Sequence, residues 1–111
     1  MAYNELLANR IRASITLFPE VFTEKKMFGG IVFLYKGKMT IGVVNEKLVV
    51  RVILSKMDEL LVQKGIIPMD FTKKTMKEFL YVLPEALKTE EDLQFFTELG
   101  VEHAKHKLNE I

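Results

Sequence analysis

Leu7, Ile11, Ser14 and Phe18 recur at i, i+4, i+7 and i+11, the spacing of one helical face, and predict a helix over residues 3–18. Pro19 disfavours helical geometry at Phe18, so the helix should stop there. The pattern then changes to three apolar runs, Met27 to Tyr35, Met39 to Val44 and Leu48 to Leu54. Val, Ile and Phe dominate them, and the connections Lys36-Gly37-Lys38 and Asn45-Glu46-Lys47 are short and polar. Together they predict an antiparallel meander.

Ser55, followed by Asp58 and Glu59, reads as a helix N-cap with acidic residues in the first turn, and Gly65 suits a left-handed stop. Ile66 to Phe71 reads as a short strand broken by Pro68, Lys73 to Lys77 as a polar excursion, and Glu78 to Leu83 as a strand stopped by Pro84. Thr89 with Glu90, Glu91 and Asp92 opens a last helix whose inner face is Leu93, Phe96, Gly100, Ala104 and Leu108. The predicted order is α-β-β-β-α-β-β-α. This is an α+β class, two layers with helices covering a mostly antiparallel sheet.

The 111 residues suit a single domain over 1–111, and the absence of Cys excludes disulfides, thiolate metal sites and thiol nucleophiles. Glu5, Asn9, Arg10 and Arg12 interrupt the apolar N-terminal residues, so no secretory signal is predicted. No apolar run approaches the roughly 20 residues that span a bilayer. A cytoplasmic domain with no membrane partner is therefore expected. The formal charge of +1 gives no global attraction to nucleic acid. It conceals an asymmetry: residues 1–57 hold nine Lys and Arg against four Asp and Glu, and residues 58–111 hold seven against eleven. Surfaces of opposite sign are expected, able to meet in an oligomer or a partner complex.

Candidate chemistry is sparse. Gly29-Gly30 leads into Ile31-Val32-Phe33-Leu34, which is strand, whereas a phosphate-binding loop must lead into a helix. A bulge or bend with close backbone packing is the favoured reading. Arg51 interrupts an apolar strand and by alternation shares a face with Val49 and Ile53. A half-buried guanidinium needs an acceptor, and Glu24, Asp70 and Glu78 are the carboxylates considered for a structural pair. The functional alternative is an anion- or partner-binding site formed by Arg51 with Lys25, Lys26, Lys77 and Asp70. His103 and His106 are two imidazoles where zinc needs three or four ligands, so no metal is assigned. Phe95, Leu99, His103 and His106 share a flank of the last helix, an interface if that flank is unpacked and core if it is packed. Ser14 and Ser55 are the only serines, and no hydrolase or metalloprotease motif occurs. No catalytic residue and no cofactor is assigned.

The strands carry the words Lys25-Lys26-Met27-Phe28-Gly29-Gly30, Val50-Arg51-Val52, Pro68-Met69-Asp70-Phe71, and Met76-Lys77 leading into Tyr81-Val82-Leu83-Pro84. In order and spacing these resemble the N-terminal domain of the TfoX (Sxy) family, regulators of natural competence. The resemblance implies a two-layer α+β fold similar to secretion chaperones. It further implies a coactivator role beside a cyclic-AMP receptor protein at competence promoters, with no catalytic residues to transfer. Two-domain members carry a C-terminal helical domain; this chain ends at Ile111, so a stand-alone domain is expected. The leading expectation is a non-enzymatic interaction module with a protein partner and a homodimer as an open alternative. A nucleic-acid-associated protein using a basic strand face, and a small-ligand or enzymatic cleft near Arg51, are the competing expectations.

Overall fold

Asn4 Oδ1 accepts from the Leu7 N–H and caps a helix whose buried side chains are Leu7, Ala8, Ile11 and Ser14. At the other end of the chain Thr89 and Asp92 form a reciprocal capping box, which starts a helix with Leu93, Phe96, Gly100 and Ala104 inward. Between them a computed structural model places one six-stranded sheet. It describes residues 3–71 and 74–109, and the side chains of residues 70, 71 and 74–76 lie outside the description. The elements are α1 (Glu5–Ile15), β1 (Phe22–Met27), β2 (Gly30–Tyr35), β3 (Lys38–Val44), β4 (Lys47–Arg51), α2 (Met57–Leu61), β5 (Ile66–Phe71), β6 (Lys74–Val82) and α3 (Glu90–Lys107). The strand order is β1-β2-β3-β4-β6-β5, with every neighbouring pair antiparallel. The fold class is α+β. Among the described residues no helix is long and apolar enough to cross a membrane.

Four details differ from the sequence reading. The run expected from Met27 to Tyr35 is the end of one strand and the whole of another, because Phe28 (φ 57) and Gly29 (φ 74) make a two-residue left-handed turn. β1 escaped notice because it is an edge strand: Thr23, Glu24, Lys25 and Lys26 are exposed, so it lacks an apolar alternation. Gly30, just past the turn, leaves room only for the Val43 carbonyl where a Cβ would stand, which is the close packing expected there. Ser55 lies in a 3₁₀ turn (Leu54–Lys56), and α2 begins after Lys56 with no side-chain cap. β6 starts at Lys74, so most of the expected polar excursion is strand, and Lys73 lies outside the described residues. Pro68 is accommodated because β5 is the opposite edge, where a register shift separates Pro68 from Asp70.

Two apolar clusters result. Phe33, Ile41, Val50 and Leu80 meet Ile11, Leu93 and Phe96 between the sheet and the helices. Val32, Val49, Met69 and Phe79 form a second cluster on the other sheet face. The members of that second cluster lie on strands or in the β1–β2 turn, and the rings of Phe28 and Phe79 reach across the intervening strands to lie 6.0 Å apart, edge to face.

α3 is held by contact with backbone. A Cβ on Gly100 would stand 2.5 Å from the Thr40 carbonyl oxygen on β3. Thr40 cannot yield easily, since its hydroxyl donates to the Phe33 carbonyl at 2.9 Å and is buried. Gly100→Ala should therefore destabilise the protein by about 2–3 kcal/mol through overpacking, although Ala favours a helix by roughly 1 kcal/mol. Urea denaturation reads the sign. An unchanged or raised midpoint would show that α3 lifts off β3 without cost.

Candidate functional site

Arg51 ends β4 opposite Phe79 of β6, and strand alternation puts both on the sheet face away from α3. Its guanidinium carbon lies 4.7 Å from the Phe79 ring centroid, and Nη2 lies 3.7 Å from Glu78 Oε1. Glu78 takes a left-handed backbone (φ 66), and in alternation with Phe79, on the same side as Leu80, it falls on the sheet face that packs against α3. The same Oε1 lies 3.3 Å from His103 Nε2 and 3.6 Å from Lys107 Nζ, both on α3. One carboxylate oxygen thus joins β4, β6 and α3.

The electrostatics follow from burial. The Arg51 and Glu78 side chains are only 23% and 22% exposed, and His103 is 1% exposed. Burial pulls the Arg51 guanidinium below its ordinary pKa, partly countered by the Glu78 charge. Burial also pulls His103 down; the hydrogen bond to Glu78 opposes that without overcoming it. Burial alone would raise the Glu78 carboxyl, but the His103 hydrogen bond and the charges of Lys107, His103 and Arg51 together leave it below the ordinary value. Neutral His103 therefore carries its proton on Nε2, facing Glu78, and leaves Nδ1 as a lone pair. Nδ1 is buried without a hydrogen-bond partner, as is Arg51 Nε, so a second proton on the ring would be a buried donor with no acceptor. The cluster is an internal clamp of opposite charges.

The other sequence candidates are placed apart. Lys25 and Lys26 are exposed on β1, paired with Val32 and Ile31, and β2 and β3 intervene before β4. Lys77 is exposed beside Glu78. Asp70 lies on β5 opposite Thr75, and its side chain is outside the description. Of the carboxylates considered for Arg51 whose side chains are described, Glu78 pairs with it, whereas Glu24 is engaged in both its oxygens by Arg12, at 2.9 Å each. Lys107 belongs to the cluster without having been singled out. The signal was its i, i+4 spacing from His103, one face of α3.

The α3 flank divides. His103 and Leu99 are buried, whereas Phe95 is 47% exposed and His106 is exposed. Phe95 stands edge-on against Phe96, ring centroids 5.1 Å apart. It borders two clefts, of about 330 and 280 Å³, which share Lys56 and Leu99, and the smaller is also walled by Glu59 and Leu60 of α2. Lys56 Nζ is tied to Glu102 Oε1 at 2.6 Å. Among the described residues no cluster of three or more His, Asp or Glu could hold a metal ion.

The family model described as the TfoX N-terminal domain matches residues 18–104, most of the chain, so this chain belongs to that family. Such membership points to a regulatory or interaction module. The matched span contains Phe28 of the β1–β2 turn and Arg51 at the β4 end, and the Phe79 ring touches both. No curated protein matches the chain.

Because the folded protein holds His103 below its ordinary value of 6.5, unfolding takes up a proton once the pH falls under 6.5, and stability should decline from there. A second decline should begin below 4.5, where Glu78 and Glu24, both held lower in the fold, become protonated in the unfolded chain. Chemical denaturation across pH 4–8 measures both limbs. His103→Gln keeps a donor toward Glu78 and should flatten the first limb alone; an unaltered slope would sink the assignment.

Proposed function

We propose that this member of the TfoX N-terminal domain family is a non-enzymatic regulatory module that works in the cytoplasm, as one domain, by contacting another protein. Phe95 carries the reading: an aromatic ring 47% exposed, backed by Phe96 and flanked by two clefts, on a helix pinned to the sheet. A rigid, half-exposed aromatic beside concave surface is the form that binding anchors take. The cluster around Glu78 supports the same reading, since its ionisable groups are engaged with one another. The family resemblance makes transcriptional regulation of competence the finer form of the proposal. A homodimer is its self-associating form.

Crosslinking in native cells, followed by purification of this chain, should recover a stoichiometric complex. Phe95→Asp should remove that complex while leaving the unfolding midpoint unchanged. A strict monomer in sedimentation at every concentration, with no Phe95-dependent complex, rejects the proposal.

Exposed Lys25 and Lys26 on β1, with exposed Lys36 and Lys38 nearby in the sheet, favour a second reading as a nucleic-acid-associated protein. Phosphate neutralisation makes such binding fall steeply with salt. Gel shifts at low salt should then show retardation that Lys25→Glu with Lys26→Glu abolishes. Absence of any shift with single- or double-stranded DNA removes this reading.

A further inference from the structure

The two clefts beside Phe95 continue into a third. Between α3 and the segment after α1 lies a cleft of about 370 Å³, with Phe18, Pro19 and Val101 among its walls and Glu98 and Glu102 on its border. Glu98 and Glu102 also border one of the Phe95 clefts, so the concave surface runs along the outer side of α3. Phe95, Glu98 and Glu102 stand at i, i+3 and i+7, one outward stripe of that helix. Glu59 of α2 borders the far end. The basic residues that line these clefts, Lys56 and Lys105, are paired with Glu102 and Glu20. Glu59 and Glu98 are left as the acidic excess along a rim whose floor includes Leu99 and Val101.

That charge selects the occupant. Two copies meeting here about a two-fold axis would set two strips of the same acidic excess against each other and gain no charge complementarity. A head-to-tail pairing of this strip with the basic β1 of another copy is heterologous and makes a ring or an open chain, not a two-fold dimer. A different protein with a basic surface has neither difficulty. We infer that the outer face of α3 receives a lysine- or arginine-rich segment of another protein, with apolar side chains entering the clefts beside Phe95 and cationic ones meeting Glu59 and Glu98. The inference rests on the protein-contact reading above and names the chemistry of the partner.

The probe is a fluorescein-labelled amphipathic peptide of leucine and lysine, with a matched peptide of leucine and glutamate, read by anisotropy on the full chain. The lysine peptide should bind, weaken with added salt, and lose about tenfold in affinity with either Phe95→Ala or Glu98→Lys. Lys25→Glu with Lys26→Glu, on the far strand, should leave the affinity unchanged. Circular dichroism melts confirm that each variant is folded. Equal binding of the glutamate peptide, or lysine-peptide binding indifferent to Phe95→Ala and Glu98→Lys, overturns the inference. If no lysine peptide binds while the Phe95-dependent complex is still recovered from cells, the charge assignment falls and protein contact stands. If that complex is missing as well, both fall.

Discussion

The contact between Gly100 and the Thr40 carbonyl sets the geometry of everything that α3 does. With no side chain at residue 100 the helix lies against the β3 backbone, and Leu93, Phe96 and Ala104 sink into the core on either side. That depth and rotation bring His103 within 3.3 Å of Glu78 and leave Phe95, Glu98 and Glu102 on the opposite side. A helix raised by even one methyl thickness would separate His103 from its carboxylate. Inner clamp and outer strip are two consequences of one close approach.

The sequence exposed those parts of the fold whose causes are local. α1 announced itself through helical spacing, and α3 through its spacing and through Thr89 and the acidic residues after it, which favour a first turn. β2, β3 and β4 were visible because both their faces are buried. β1 was hidden because it is half solvent-facing, and its charged residues looked like a loop. The Glu78 cluster could be anticipated only as three alternative partners for Arg51, since the carboxylate that meets it is set by the pairing of β4 with β6 and by the seat of α3, neither of which is local in the sequence. The four residues grouped on the α3 flank divide because His103 is drawn inward by an acceptor, whereas Phe95 finds no element across from it.

The basic and acidic halves of the chain acquire places in the fold. The first half contributes exposed Lys25, Lys26, Lys36 and Lys38 from the meander, and the second contributes Glu59, Glu98 and Glu102 from the helical layer. Between them run ion pairs that join the halves: Arg10 with Glu90 across α1 and α3, and Lys56 with Glu102 across the clefts. Exposed pairs of this kind each contribute little to stability. Their greater effect is to leave carboxylates in excess on one side of the molecule and amines on the other.

Both borders of the sheet are closed to growth by strand addition. β1 presents Glu24, Lys25 and Lys26 along one edge, and an approaching chain would have to strip water from all three. β5 carries Pro68 on the other edge, where a missing N–H breaks the row of donors that an added strand requires. An antiparallel sheet of six strands with uncapped rims would be a template for aggregation, and here the rims are blunted by charge at one end and by proline at the other. Recognition is thereby channelled away from backbone pairing, which is indifferent to side-chain identity, and toward the helical layer, where discrimination between partners resides in individual side chains.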